Sequence, residues 1–159
     1  MLNLYKKIYF SARRQEIVKA KSILKRIEIE DILNNISKVC WDSGIEYEII
    51  LKNSQQLFLK IIGKRESILF KFSKKDMIFI EEFENFIGEL YKNDINKAVY
   101  ITTGVFDMNI RKRCSVMPTY RKIKLIDKYD FIKDQLGIYG KAEDEFKVNR
   151  LKLFKYLPS

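Results

Sequence analysis

Apolar side chains in the stretch 29–52 recur first at helical spacing and then at strand spacing. Up to residue 40 they return every three or four positions, which predicts a helix from about Glu28 to Trp41, closed by a left-handed cap at Gly44. Apolar and polar residues then alternate up to residue 52, as in a half-buried strand. The turn "NSQQ" and the runs "LFLKIIG" and "SILFKFS" predict two further strands, separated by a charged turn at Gly63.

The second half of the chain alternates helices with short apolar strands. A broad apolar stripe over residues 79–90, with acidic residues outside it, predicts a helix, and "AVYIT" is typical of a strand buried on both faces of a sheet. The pattern then predicts a short helix from about Asp107, a strand at Ile123 to Ile126 and a helix from Asp127 to Leu136. The final segment, "EFKVNRLKLFKYLPS", fits either a strand or a helix. This alternation predicts one α/β domain.

The N-terminal segment is basic and amphipathic. Ser11 to Arg26 is predicted to form a helix with Ser11 as its cap, and the apolar residues 5 and 8–10 in front of it would form an adhesive arm. Such a helix can cover a sheet edge, contact nucleic acid or lie on anionic lipid, which vesicle pelleting would test. We expect an extension at 1–27, the main domain at 28–137, and a C-terminal extension at 138–159 packed on it.

Composition limits the chemistry open to the chain. The 159 residues are 47% hydrophobic, without a run of ~18 apolar residues, and the start is too basic for a signal peptide. The two cysteines suit a reducing compartment, so we expect a cytoplasmic protein. There is no histidine, which excludes the usual catalytic triads and most zinc sites.

The net charge of +10 is concentrated in two segments. Residues 1–28 carry eight Lys/Arg against two Glu, and residues 111–128 carry seven against one Asp, whereas residues 29–110 carry ten against thirteen acids. Clustering of this kind is typical of a surface that binds a polyanion. A lysine-rich surface that only aids solubility is the alternative.

The stretch "KAVYITTGVF…IKLIDKYDFIKDQL", together with "WDSGIEYEI", resembles the Mrr-type restriction endonuclease family of the PD-(D/E)XK nuclease superfamily. The resemblance covers about Ile29 to Leu136. It implies a restriction-endonuclease-like core of helix, three-strand meander, helix and strand, here with an added C-terminal helix-strand-helix and a basic N-terminal helix. It also implies an aspartate in the first hairpin and a Gln or Glu two residues before a lysine on the third strand, which together hold a divalent ion.

The catalytic pattern of that family is broken in this chain. The hairpin segment Asn53–Gln56 contains no acid, and Leu69 and Phe72 stand two residues before Lys71 and Lys74. We therefore expect a degenerate nuclease, without enzymatic activity and without a cofactor. An active enzyme would need Mg²⁺ and relocated carboxylates. The candidates for that alternative are Glu48, Glu66, Glu81, Lys71 and Lys74, with Lys60 as a further lysine.

The expected function is non-specific binding of nucleic acid, with DNA favoured over RNA. The Thr-Thr-Gly corner that follows "AVYI" either only turns the chain or meets a backbone phosphate through its hydroxyls and the amides of the next helix. The candidate nucleic-acid contacts are Arg13, Arg14, Lys74, Lys75, Thr102, Thr103, Arg111, Lys112, Arg113, Arg121 and Lys122. The competing function is a protein-interaction or dimerisation module that uses the N-terminal segment.

Overall fold

The computed structural model describes residues 2–158, apart from the side chains of residues 2, 3 and 148. The helices are α1 (Leu2–Ala12), α2 (Arg14–Leu24), α3 (Ile29–Ser43), α4 (Ile80–Lys92), α5 (Met108–Ser115), α6 (Lys128–Leu136) and α7 (Ala142–Glu145). The strands are β1 (Glu46–Lys52), β2 (Gln56–Ile62), β3 (Ser67–Ser73), β4 (Met77–Ile78), β5 (Lys97–Thr102), β6 (Val105–Phe106) and β7 (Lys122–Ile126). The predicted α/β fold class is confirmed, because the order α3, β1–β3, α4, β5 is that of the expected core and α5, β7 and α6 follow it.

The main sheet has the strand order β1-β2-β3-β5-β7. The first three strands form an antiparallel meander, and β3, β5 and β7 run parallel. All three parallel strands therefore begin at one edge of the sheet, with Ile68 beside Lys97, and end at the other, with Ser73 beside Thr102. We call these the amino edge and the carboxyl edge.

Helices cover both faces of the sheet. Successive strand residues point to opposite faces, so the strands contribute side chains to two cores. Phe70 and Phe72 belong to the larger core, which contains buried residues of α2, α3, α6 and the C-terminal segment. Leu69 and Tyr100 belong to the second core, which they share with α4 and Ile110 of α5. The buried character predicted for β5 is confirmed, since all its residues except Lys97 are buried.

The firmest sequence predictions are confirmed at the helix ends. Helix α3 ends at Gly44, whose φ of 66° is the left-handed cap that the sequence predicts. Asp107 caps α5 by accepting a hydrogen bond from the amide of Asn109, and Asp127 caps α6 in the same way through the amide of Asp130.

The N-terminal prediction is wrong in its boundaries. Two helices replace the single one, with a break at Arg13, so Ser11 lies inside α1 rather than capping a helix. The segment expected to be an arm is helical. Tyr9 is buried there and donates a hydrogen bond to the carbonyl of Gly137 at 2.6 Å, which ties α1 to the end of α6.

Three further expectations differ from the structure. Ile49 and Leu51 are exposed by 50% and 41%, because β1 is an edge strand whose register shifts between these residues. Phe79 precedes α4 and is exposed, although it completes the helical stripe in the sequence. The final segment, for which the sequence left a strand or a helix open, follows α7 and forms two short 3₁₀ turns rather than a strand or an α-helix. No helix within residues 2–158 is long and apolar enough to cross a membrane.

Candidate nucleic-acid interface

Thr102 ends β5 and is fully buried. Its hydroxyl donates a hydrogen bond to the carbonyl of Lys75 at 3.1 Å and accepts one from the amide of Gly104 at 3.0 Å. The amide of Thr103 also bonds to the carbonyl of Ser73, at 3.0 Å. The Thr-Thr-Gly corner thus joins the end of β5 to the loop after β3. These contacts give Thr102 a structural role, with its hydroxyl turned into the protein.

Gly104 is required at this corner because the chain passes close to its own backbone. A Cβ atom there would overlap the main-chain atoms of Asp76 and the carbonyl of Lys75. The carbonyl of Gly104 accepts a hydrogen bond from the amide of Lys128 at 2.9 Å, at the start of α6. One glycine therefore brings together the loops that follow β3, β5 and β7.

This arrangement gathers four cations at the carboxyl edge. Lys75 pairs with Glu82 at 3.0 Å, and Arg111 pairs with Asp127 at 3.3 Å. Lys74 and Lys128 form no ion pair with any residue that the structure describes. The two unpaired lysines are therefore free to meet a phosphate without breaking an internal contact.

A groove of about 680 Å³ continues from this edge between α1, α2 and the start of α6. The ring of Tyr129 forms part of its wall, with the ammonium groups of Lys21 and Lys128 at 4.8 and 5.1 Å from the ring centroid. Arg14 also lines the groove and is exposed. We define the carboxyl-edge surface by its cations and the corner hydroxyl: Arg14, Lys21, Lys74, Lys75, Thr103, Arg111 and Lys128.

The remaining predicted contacts lie elsewhere or are already engaged. Arg13 donates to the carbonyls of Ile138, at 2.8 Å, and Gly140, so it holds the turn after α6. Arg113 pairs with Glu84 at 2.8 Å, whereas Lys112 is exposed on α5.

Arg121 and Lys122 stand at the amino edge, beside the start of β7. Strands of five to seven residues, rising about 3.3 Å per residue, separate the two edges by about 20 Å. The predicted set therefore divides into two separate surfaces.

A pocket of about 390 Å³ adjoins the carboxyl edge between α4 and the sheet, and Lys75 belongs to both. Lys71 of β3 reaches into it and is only 7% exposed. Its ammonium lies 5.2 and 5.3 Å from the ring centroids of Phe58 and Tyr100. Gln56 and Glu82 also line this pocket, which we call the Lys71 pocket.

Burial lowers the pKa of the Lys71 amine, and Lys75 lowers it further, whereas Glu82 opposes the shift. Burial also raises the pKa of the Tyr100 phenol, and Glu82 adds to that effect. The phenol oxygen of Tyr100 is buried without a hydrogen-bond partner among the described residues. A lysine kept in such surroundings costs stability, which makes it a candidate for a functional role.

The three acids considered for a relocated active site do not converge. Glu66 precedes β3 at the amino edge and pairs with Lys97 at 2.9 Å, so the length of the strand separates it from Lys71. Glu48 is exposed on β1 opposite Lys60, and Glu81 is exposed in the first turn of α4. The structure corrects the hypothesis that these three carboxylates meet.

Two other acids, Glu82 and Glu89, line the Lys71 pocket from α4. Their spacing of seven residues, with Phe86 between them, places all three side chains on one side of the helix. This spacing is visible in the sequence, but the sequence does not show that Glu82 and Glu89, at the border of the apolar stripe, face the sheet. Within residues 2–158, no three Asp, Glu, His or Cys side chains come together as metal ligands would. At the two positions where the family resemblance implies an aspartate and a Gln or Glu, the chain has the segment Asn53–Gln56 and Leu69, which supply no carboxylate.

Comparisons with known proteins give structural similarity only. The sequence matches no family model and no curated protein. A solved structure of the DNA modification-dependent restriction endonuclease AspBHI is similar with a TM-score of 0.42 and 10% identity, over 74% of this chain and 34% of that one. A second, MspJI restriction endonuclease in complex with a 27-mer oligonucleotide, has a TM-score of 0.35 and 13% identity, over 99% of this chain and 36% of that one. This chain spans about a third of each protein, and similarity at this level carries no information about its chemistry.

Proposed function

We propose that this chain is a catalytically inactive nuclease-fold domain of the Mrr type that binds DNA non-specifically through its carboxyl-edge surface. The observation that carries the proposal is the meeting of Lys74, Lys75, Arg111 and Lys128 at one edge, through the corner at Gly104. Fold similarity alone would not support a function.

The carboxyl-edge surface suits a phosphate backbone better than it suits bases. Its cations come from the loop after β3, from α2, from α5 and from the start of α6, so they are spread over an open surface rather than focused on one point. Lysine and arginine contacts of this kind position a duplex without reading its sequence. Two aromatic rings line the groove, Phe10 and Tyr129, and they pack edge to face with centroids 5.7 Å apart. Tyr129 is also half-buried beneath two lysines, so the pair offers no stacking platform.

Inactivity is proposed from the side chains around Lys71. The segment Asn53–Gln56, where the family resemblance implies an aspartate, contains no acid, and Leu69, two residues before Lys71, is fully buried. Leucine has no ligand atom for a metal ion. The alternative, an active nuclease with moved acids, would have to use Glu82 and Glu89, together with Mg²⁺.

Binding is tested by fluorescence anisotropy of a labelled duplex at a series of salt concentrations. We expect micromolar or tighter binding at low salt, with log K falling linearly against log[salt] at a slope of about −0.9 for each phosphate contacted. Duplexes of unrelated sequence should bind equally well. Absence of binding at low salt and high protein concentration would overturn the proposal.

Inactivity is tested by incubating supercoiled plasmid with the protein and Mg²⁺ or Mn²⁺, using a native gel as readout. We expect retarded but uncut plasmid. Metal-dependent nicking that persists through purification and disappears in Glu82→Gln would instead establish the active nuclease. The Glu81→Gln variant is the matched control, because Glu81 is the neighbouring acid and lies outside the pocket.

A second function, protein interaction or dimerisation, is favoured by an exposed apolar patch on α1. Leu4, Tyr5 and Ile8 are exposed by 61%, 52% and 59%, and Ile138 and Tyr139 by 64% and 89% on the turn to which α1 is attached. Patches of this kind often mark contact surfaces. Sedimentation velocity should show a concentration-dependent dimer that Ile8→Ser with Tyr139→Ser abolishes; a monomer at all concentrations argues against a dimer.

A further inference from the structure

A cavity of about 570 Å³ lies at the amino edge, away from the carboxyl-edge surface. Its walls are the beginnings of β3, β5 and β7, the loop after α5 and the C-terminal turn. The volume is within the range of sites for small molecules, which is about 300–1,000 Å³. The cations in its lining are Lys97, Arg121, Lys122, Lys124 and Lys155.

The charge of this lining is almost entirely positive. Its one carboxylate, Glu66, is already paired with Lys97 at 2.9 Å. Lys122 and Lys124 are exposed and form no ion pair with any described residue. Arg121 and Lys155 form none either, although the Lys155 ammonium donates to the carbonyl of Asp134 at 3.0 Å. Four cations around the cavity thus have no carboxylate partner among the described residues, which favours a ligand that carries several negative charges.

Arg121 forms a rigid part of the wall. Its guanidinium donates to the carbonyl of Ile95 at 2.8 Å and lies 4.2 Å from the ring centroid of Tyr91. The Nε–H of the same side chain is buried without a hydrogen-bond partner among the described residues. A guanidinium fixed in this way keeps its charge at the wall without the entropic cost that a mobile side chain would add, although the buried Nε–H itself is not accessible to a ligand.

The rest of the lining is apolar. It lies on both faces of β7. Val99, Leu157 and the ring of Tyr156 belong to the side of the larger core, towards which Lys122 and Lys124 also point, whereas Met117 and Ile123 pack against the second core. The hydroxyl of Tyr156 donates to Asp134 at 2.8 Å, and Lys124 lies 5.7 Å from its ring centroid. Val99 and Tyr156 are already buried by the protein, so the apolar surface open to a ligand is that of the half-buried Met117, Ile123 and Leu157. A purely inorganic anion would leave this surface in contact with water, whereas a ligand with a flat apolar body would cover it.

We propose that this cavity binds a nucleotide, with the phosphates against Lys122, Lys124 and Arg121 and the base against the apolar wall. Several phosphates match the uncompensated charge, and a purine or pyrimidine matches the apolar surface. The nucleotide is either free or the terminal residue of a nucleic-acid strand, since both present the same groups. The site is separate from the proposed DNA surface and does not depend on it.

The test is isothermal titration calorimetry with ATP, adenosine and tripolyphosphate, in EDTA at moderate salt. We expect ATP to bind at least tenfold more tightly than either of its parts, because only ATP reaches both the cations and the apolar wall. If tripolyphosphate bound as tightly as ATP, the cavity would be recognising charge alone, and the proposal would be overturned. Absence of ATP binding would do the same.

Variants locate the binding. Lys122→Gln with Lys124→Gln should weaken ATP binding at least tenfold. The charge-matched control Lys25→Gln with Lys38→Gln should change it less than about threefold, because these lysines lie outside the cavity lining and salt screens their charges. Both pairs are exposed, so folding should be preserved and is checked by the thermal midpoint. Equal losses in the two pairs would overturn the proposal.

Two further arms separate the ligand sources and the two surfaces. A short single strand is compared with a 5′-phosphate and with a 5′-hydroxyl. If the phosphate form binds more tightly, and Lys122→Gln with Lys124→Gln removes that difference, the ligand is the end of a strand. If ATP binds but the two strands do not differ, the ligand is the free nucleotide. Lys74→Gln with Lys128→Gln should leave ATP binding unchanged. Loss of ATP binding in this carboxyl-edge variant would place ATP on the DNA surface and refute the separate site.

Discussion

The carboxyl edge and the amino edge of the sheet are both basic, yet their surroundings differ. At the carboxyl edge, Lys74 and Lys128 lie on an open surface that continues into a shallow groove. At the amino edge, Lys122 and Lys124 surround a cavity with an apolar wall. The number of cations is similar at both edges. The shape of the surface around the cations therefore decides whether they suit an extended polymer or a compact anion.

The path of the chain explains this difference. At the carboxyl edge the Gly104 corner draws three loops together through main-chain hydrogen bonds and close backbone contact. At the amino edge the last turn of the chain stands over the strands, and Pro158 comes close to Gly63. One edge is closed by main-chain hydrogen bonds, whereas the other is roofed by side chains.

The largest expected effect comes from a substitution that disrupts the carboxyl edge and leaves the amino edge intact. Gly104→Ala should lower the free energy of unfolding by about 3 kcal/mol, because its Cβ collides with backbone that cannot move aside. Urea denaturation measures this change. At temperatures where the variant is folded, DNA affinity should fall and ATP binding should persist.

Gly88→Ala is the matched control for that change. Gly88 lies on the exposed side of α4, with nothing within 4 Å of a Cβ built there. Alanine should stabilise this helix by about 0.5–1 kcal/mol. If the two variants behaved alike, the steric account of the corner would be wrong.

The next effect separates the two edges by their charges. Lys74→Gln with Lys128→Gln should reduce DNA affinity about tenfold near 0.1 M salt and make the salt slope shallower by about 1.8, as expected for two lost phosphate contacts. The amino-edge pair Lys122→Gln with Lys124→Gln should change the slope by less than one contact. A larger loss in the amino-edge pair would reverse the assignment of the two surfaces.

A smaller effect concerns the buried amine beside the carboxyl edge. Lys71→Met should raise the free energy of unfolding at pH 7 by about 1 kcal/mol, because a charge is removed from an apolar environment and similar volume is kept. DNA binding, measured by anisotropy, should weaken if Lys71 contacts a phosphate. Destabilisation by methionine would show that the amine is held by favourable contacts instead.

The stability difference between Lys71→Met and the parent protein should depend on pH. The folded-state pKa of Lys71 lies below its unfolded value of 10.5, so between the two values the unfolded chain binds a proton that the folded chain lacks. The stability of the parent protein therefore rises with pH across that window. The advantage of Lys71→Met should be full at neutral pH and shrink towards pH 10, in urea titrations of both proteins.

The smallest effect tests the rigid wall of the amino edge. Arg121→Lys should cost about 0.5 kcal/mol of stability, because an ammonium keeps the charge but loses the planar contact with Tyr91. Thermal unfolding with and without ATP measures both consequences. If lysine supports ATP binding as well as arginine does, the fixed orientation of the guanidinium is unimportant.

Prediction from the sequence succeeded where local physics decides structure. The stripe of α3 and its glycine cap, the helix starts near Asp107 and Asp127, and the buried strand β5 all follow from spacing and backbone preference. It failed where burial depends on distant partners. The apolar end of β1 looks half-buried in the sequence, but Ile49 and Leu51 stay exposed on an edge strand whose register shifts between them.

The candidate site shows the same limit. Clustered bases and the broken motif at Leu69 are visible in the sequence, as is Lys71. That Glu82 rather than Glu81 lines the Lys71 pocket depends on the rotation of α4 against the sheet. The spacing of seven residues places Glu82 and Glu89 on one side of the helix, but the sequence does not show which side of the helix faces the sheet.

By itself the sequence determined the order of elements, the absence of histidine and the two basic segments, because these are properties of local spacing and composition. Only the tertiary structure decided which bases share a surface. Arg111 and Arg121 belong to one basic segment, yet they stand at opposite edges, since β7 starts at one and ends at the other. Lys74 and Lys128, far apart in the chain, meet because parallel strands end together.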